Sequence, residues 1–198
     1  MKKWIVSFSL IVFIIGAAWV IYLKYPRTID LELIGVKYQL GSEGAKSERE
    51  PATVVIKGKL HKSLKGERVF KGYITIVGEV IPVPKDQRKL AIHFSSDGWG
   101  VMNYPYGIFD KYGEQGSRTK PGIYQSHIIF ANKDFSQVTL LLKTPDQQSE
   151  YENGASQSVW NAENGKMLSA PATTREEALT LSNKLMLEFL KPYGKPLQ

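Results

Sequence analysis

Apolar and polar residues alternate with period two along two stretches of this chain that are separated by a short turn signal. Ile56, Gly58 and Leu60 interleave with Lys57, Lys59 and His61, and Phe70, Gly72, Ile74 and Ile76 interleave with Lys71, Tyr73 and Thr75. Successive side chains on a strand point to opposite faces, so the pattern predicts a hairpin around Ser63-Leu64-Lys65-Gly66 with one buried face. Gly58 and Gly72 fall on the apolar face, which predicts a close backbone approach or a sharp bend there. Asp30 to Tyr38 reads as an earlier strand, and the polar stretch Gly41 to Pro51 reads as a loop. Asp97-Gly98 marks a second hairpin, and the residues from Ser126 to Thr144 hold two more strands around a turn near Asn132-Lys133-Asp134. Asn164-Gly165 is a further hairpin turn signal.

The period changes near the C-terminus. Thr174-Arg175-Glu176-Glu177 has the form of a capping box, and Ala178, Leu181, Leu185 and Phe189 follow at helical spacing. Pro192 and Gly194 end the pattern, so a helix is expected over residues 175–190 with its apolar face on the sheet. The expected fold is therefore a β-rich α+β domain, mainly antiparallel, over residues 28–198, with one C-terminal helix.

At the other end the polar stripe disappears altogether. Residues 4–23 form an uncharged run of 20 residues, as long in helical form as a bilayer's hydrocarbon core is thick. Its twelve Ile, Val, Leu and Phe residues favour insertion by about 4 to 7 kcal/mol in sum. Gly16-Ala17-Ala18 resembles a cleavage site, but Trp19 to Leu23 continue the apolar run beyond it. Trp4, Trp19, Tyr22 and Tyr25 sit near the two ends as interfacial aromatics do. Residues 1–27 thus read as an uncleaved signal-anchor, a transmembrane helix inserted in the lipid bilayer through residues 4–23. The basic flanks Lys2, Lys3, Lys24 and Arg27 nearly balance. The short N-terminal tail and long C-terminal part favour a single-pass cell membrane protein with an extracytoplasmic domain, in a bacterial cell envelope.

That assignment changes the meaning of the charge. The chain carries a net +7, with 26 basic and 19 acidic residues. The four basic residues of the anchor leave 22 against 19, a charge of +3, which is ordinary for a soluble domain and gives no support to nucleic-acid binding. The absence of cysteine excludes disulfides, thiolate metal sites and cysteine nucleophiles.

Two stretches are candidates for binding. Lys57 and Lys59 share one strand face with His61 in a hairpin rich in lysine, suited to anionic lipid headgroups or an anionic envelope polymer, or equally to protecting a sheet edge. Asp97 to Gly122 holds six glycines with Trp99, Tyr104, Tyr106, Phe109 and Tyr112, and after Tyr104 it shows no clear period. An irregular aromatic stretch suits a glycan or a protein partner, or plugs the end of a sheet. His61, His93 and His127 have no metal-type spacing, no nucleotide or serine-acylase motif occurs, and no cofactor is expected. The expected function is a membrane-anchored binding or scaffold protein with no catalytic residue. The alternative is a membrane-tethered hydrolase of wall or glycan material using Asp97, Asp110 or Glu114, which needs two carboxylates facing each other across a cleft.

Overall fold

The computed structural model describes residues 13–16, 25–46, 49–63, 66–110, 118–142 and 160–198. Among the described residues are eight strands: β1 (Arg27–Gln39), β2 (Glu50–Lys62), β3 (Arg68–Ile76), β4 (Leu90–Phe94), β5 (Trp99–Asp110), β6 (Arg118–Ala131), β7 (Val138–Leu142) and β8 (Lys166–Ala170). They form one antiparallel sheet in the order β4-β3-β2-β1-β8-β7-β6-β5. The outermost strands, β4 and β5, are also consecutive in the chain. In a flat sheet of eight strands the two edges lie about 34 Å apart, far beyond the reach of the four-residue Ser95–Gly98 turn. The sheet must therefore curl until its edges meet, giving a nearly closed up-and-down barrel. The turn itself is tight, with Ser95 N donating to Trp99 O at 2.8 Å and Gly98 N to Ser95 O at 3.1 Å.

The alternation read from the sequence decides what fills the barrel. Val54, Ile56, Leu60, Phe70, Ile74, Ile76, Leu90 and Ile92 all point inward and are buried. Gly58 and Gly72 are directly paired across β2 and β3 on this inner face. A Cβ on Gly58 would lie 2.8 Å from Cα of Gly72 and 2.8 Å from the tip of the Phe70 ring. The expected close approach is thus present, and Phe70 fills the hollow that the two glycines leave.

Each end of the barrel has its own plug. At the end where β1 begins, Phe135 in the β6–β7 turn takes a positive φ of 63° and turns its ring inward. Its centroid lies 5.1 Å from that of Phe70 and 5.4 Å from that of Phe94. Arg68 closes over this end, with its guanidinium 5.1 Å from the Phe94 ring and its Nη1 donating to Asn132 O at 3.1 Å. At the other end, the loop between β3 and β4 inserts Ile81 and Val83. Arg88 holds that loop by donating to the carbonyls of Val83, at 2.6 Å, and Ile81, at 2.8 Å.

The helices cover part of the outer surface. After α1 (Gly41–Lys46) between β1 and β2, the chain forms α2 (Arg175–Leu185) and α3 (Leu187–Leu190) at the C-terminus. Val36, Tyr38, Phe130, Leu141 and Met167 on the outside of the sheet pack with Ala178, Met186 and Leu190. Within this layer Ser182 Oγ lies 2.6 Å from the Tyr38 hydroxyl and 2.7 Å from Ser169 Oγ, so the buried hydroxyls satisfy one another. Burial pushes the Tyr38 phenol above its usual pKa, against the opposing pull of those serines.

The capping box forms as the sequence predicts. Thr174 Oγ1 accepts from Glu177 N at 3.1 Å, and the Glu177 carboxylate accepts from the backbone N–H of Thr173 and Thr174. These bonds hold the Glu177 pKa below the usual value. Thr174→Ala is expected to cost about 1 kcal/mol in a urea melt at neutral pH. Because the Glu177 pKa is depressed on folding, its contribution is present above the unfolded value of 4.5 and is lost as pH falls through the folded one. The difference between Thr174→Ala and wild type should therefore narrow in acid, and a gap that stays constant to low pH would show that the two halves of the cap act independently.

Three expectations need revision. Residues 104–110 are not irregular: they continue β5 and pair with residues 118–124 of β6. The period is hidden because Pro105 and Gly107 occupy positions of the long paired strands β5 and β6; residues 111–117 lie outside the described residues. The polar stretch after β1 contains α1 and then enters β2 at Glu50. The C-terminal helix is interrupted at Met186, which separates α2 from α3. As for the anchor, no helix among the described residues is long and apolar enough to cross a membrane. Of residues 4–23 only 13–16 are described, as one helical turn, and the rest of the expected span lies outside the described residues.

Candidate binding face

The barrel gives the sequence candidates different fates. On β5 the inner phase contains Tyr104 and Tyr106, and the outer phase contains Trp99. Tyr104 has no exposed surface. Its ring centroid lies 6.1 Å from that of Tyr124, its partner on β6. The binding role expected for Tyr104 thus has no surface through which to act, and the residue belongs to the core. Its hydroxyl is buried without a hydrogen-bond partner. Burial, with the charge of Glu79 second, pushes the phenol far above its usual pKa. Tyr106 is half-buried, and its ring lies against Gly122, its cross-strand partner. The side chain of Phe109 and the whole of Tyr112 lie outside the described residues.

Trp99 is half-buried on the outside, with its ring centroid 6.5 Å from that of Phe189 in α3. It borders a groove of about 450 Å³ along the β4–β5 junction, lined also by Ala91, His93, Ser95, Val101 and Asn103. The groove follows from the seam: β4 and β5 touch closely at Gly100, where a Cβ would strike Ile92, but they are not joined as paired strands.

Lys57 and Lys59 lie on the outer face of β2 and are exposed. The register sets Lys59 between Thr28 and Lys71, and Lys57 between Asp30 and Tyr73. Lys71 is paired in turn with Ala91, and Val69 with His93, both of which border the groove. Lys57, Lys59, Lys71 and Trp99 therefore belong to one continuous outer surface from β2 to β5, about 14 Å across. The helices cover β1, β8, β7 and the Trp99 edge and leave the centre of this surface open.

The electrostatics of the surface are uneven. Lys57 Nζ is 3.6 Å from Asp30 Oδ1, with both side chains exposed. Lys59 and Lys71 stand directly opposite each other, and among the described residues neither has an ion-pair partner. Like charges directly opposed across two strands are destabilising. Lys71 and Tyr73 were within reach of sequence reasoning, since the same alternation places both on the polar face; only the register shows which lysines meet.

The catalytic alternative meets a geometric obstacle. Asp97 lies in the turn before β5 and Asp110 ends that strand, so the two are separated by about 35 Å of extended chain, against the 5 to 9.5 Å of paired glycosidase carboxylates. Glu114 lies outside the described residues. Of the histidines, His61 and His93 are on the outer face. His127 is buried at a bulge of β6, where Ser126 and His127 together oppose Met102, and its Nε2 is 2.6 Å from Glu79 Oε1. No group of three His, Cys, Asp or Glu among the described residues is placed to hold a metal ion. Comparison with family models, with curated proteins and with solved structures finds no match to this chain.

Proposed function

We propose that this chain is a single-pass, membrane-anchored binding or scaffold protein of the bacterial cell envelope. Its barrel stands outside the cytoplasm and engages an anionic partner through the outer face of β2 to β5. The observation that carries the binding reading is the unpaired Lys59–Lys71 rung on the part of the barrel wall that the helices leave open. A directly opposed pair of cations costs stability when the face is empty, and an anion lying between them removes that cost. The groove beside Trp99 continues the same surface and offers an aromatic edge to whatever crosses it. The anchor reading rests on the apolar run of residues 4–23.

Two measurements test the two halves separately. Full-length protein should float with membranes after alkaline extraction, and a variant carrying Ile11→Lys and Ile14→Lys should not; loss of the wild type to the soluble fraction would remove the anchor. For the face, linear polyphosphate serves as a generic anionic probe. The double variant Lys59→Gln/Lys71→Gln should bind it markedly more weakly than wild type, while Lys85→Gln/Lys89→Gln in the β3–β4 loop should be unchanged. Equal binding by all three proteins would rule out the face.

A further inference from the structure

We infer that the anionic partner of this face is the headgroup layer of the same bilayer that holds residues 4–23, an inference that rests on the anchor and binding-face reading above. The argument is one of position along β1. The strand begins at Arg27, and the register places Arg27 opposite Leu60, Thr28 opposite Lys59 and Asp30 opposite Lys57. Lys59 is followed three rungs later by Lys62, opposite Arg68. The basic positions of β2 and β3 are thereby gathered at the end of the barrel from which the chain leads back to the apolar segment. From Leu23 to Arg27 is four residues, at most about 14 Å of extended chain. The barrel cannot move far from the bilayer surface, and this end is the one held against it.

Charge and chemistry agree with that placement. Arg27, Lys57, Lys59, Lys62, Lys71 and Lys133 occupy this end, and the acidic residues there are Asp30, already paired with Lys57, Glu67 in the β2–β3 turn, Asp97 in the β4–β5 turn and Asp134 in the β6–β7 turn, which feels the charge of Arg27, so the basic residues outnumber them. Arg68 is engaged elsewhere, on the carbonyls of Asn132 and Ala131. Tyr25, two residues before β1, is 77% exposed, where an aromatic ring suits the headgroup level. A basic residue near an anionic bilayer strengthens binding about fivefold, provided that it lies within a Debye length of about 8 Å. Tethering by the anchor keeps these lysines near the surface, so that they enter that range repeatedly without a diffusional search. The barrel then leans on the membrane with its β2–β3 wall, which fixes its orientation and turns the opposite, long-loop end away from the surface.

The test uses the fragment 25–198, which holds the whole of the two buried clusters found among the described residues, built from residues 29–197. It is mixed with vesicles of phosphatidylglycerol and phosphatidylcholine in equal amounts, or of phosphatidylcholine alone. The fragment should sediment with the anionic vesicles only, and added salt should release it. Lys59→Gln/Lys71→Gln should bind about 25-fold more weakly, at fivefold for each charge. Lys85→Gln/Lys89→Gln, in the loop at the other end of the barrel, should bind within about twofold of wild type if position rather than total charge decides. Melting of the Lys59/Lys71 variant at or above the wild-type temperature separates lost binding from lost folding. No binding to anionic vesicles, or equal weakening in the two variants, overturns the inference. If polyphosphate binding survives while vesicle binding fails, the face stands and the lipid falls; failure of the full-length protein to float removes the anchor, whatever the vesicles show.

Discussion

Replacing Gly72 with alanine is expected to cost about 3 kcal/mol or more, and with valine to prevent folding. A methyl group at this position would lie 2.5 Å from Cα of Gly58 and closer still to the carbonyl oxygen of Lys57. Both obstacles are backbone, so no side chain can rotate to make room, and relief requires β2 and β3 to part. The usual effect of a glycine-to-alanine change in an element is a gain of up to about 1 kcal/mol through the unfolded state. Here the clash must win, because a strand separation also opens the hollow that Phe70 occupies. Against a typical total stability of 5–15 kcal/mol, the valine variant leaves little or nothing. Urea melts of Gly72→Ala, with the outward Thr75→Ala as control, decide the matter. A midpoint for Gly72→Ala within error of wild type would mean that the two backbones do not approach as described.

Gly72 also illustrates what the sequence makes legible. Alternation alone placed both glycines on the apolar face, because a strand's two faces are set by parity and parity does not depend on the partner. The pairing of particular residues was less accessible. Outward residues must pair with outward ones, so Lys59 can meet Val69, Lys71 or Tyr73, and the choice rests on a turn that takes in Glu67, whose carbonyl accepts from Ser63 N at 2.9 Å. Closure of the barrel was hidden for a different reason. It is a property of the strand order, and the only local trace is the short Asp97-Gly98 turn that joins the two edges. The aromatic stretch after Tyr104 lost its period because β5 and β6 extend beyond β4 and β7 there, and Pro105 and Gly107 break the alternation without breaking the strand. The capping box is legible in full, since all its bonds are local.

The candidate site was legible in part for the same reasons. Exposure of Lys57 and Lys59 follows from parity, whereas the union of these lysines with the Trp99 groove depends on the curl of the sheet. The inward turn of Tyr104 follows from parity too, once residues 99–110 are recognised as a strand: Trp99 faces out, so Tyr104, five positions on, faces in.

Tyr104 leads to the second large effect. Tyr104→Ala should destabilise the barrel by about 3 to 5 kcal/mol, because it removes a fully buried ring stacked near Tyr124. Tyr104→Phe should do the opposite. The hydroxyl is buried without a partner, which costs about 1 to 3 kcal/mol, and removing it leaves the ring in place. A gain of about 1 kcal/mol is therefore expected for the phenylalanine variant. The pair of variants separates packing from polarity at one position, which alanine alone cannot do. Thermal melts at neutral pH are sufficient, since an ordinary phenol is protonated there in the unfolded chain and burial raises the pKa further in the folded one. A loss for Tyr104→Phe would show that the hydroxyl is satisfied in solution, by water or by a shift of the nearby Glu79, whose Oε1 is 2.6 Å from His127 Nε2. The loop that carries Glu79 would then be held to the barrel by a network of three side chains, and Tyr104 would count among the residues that position it.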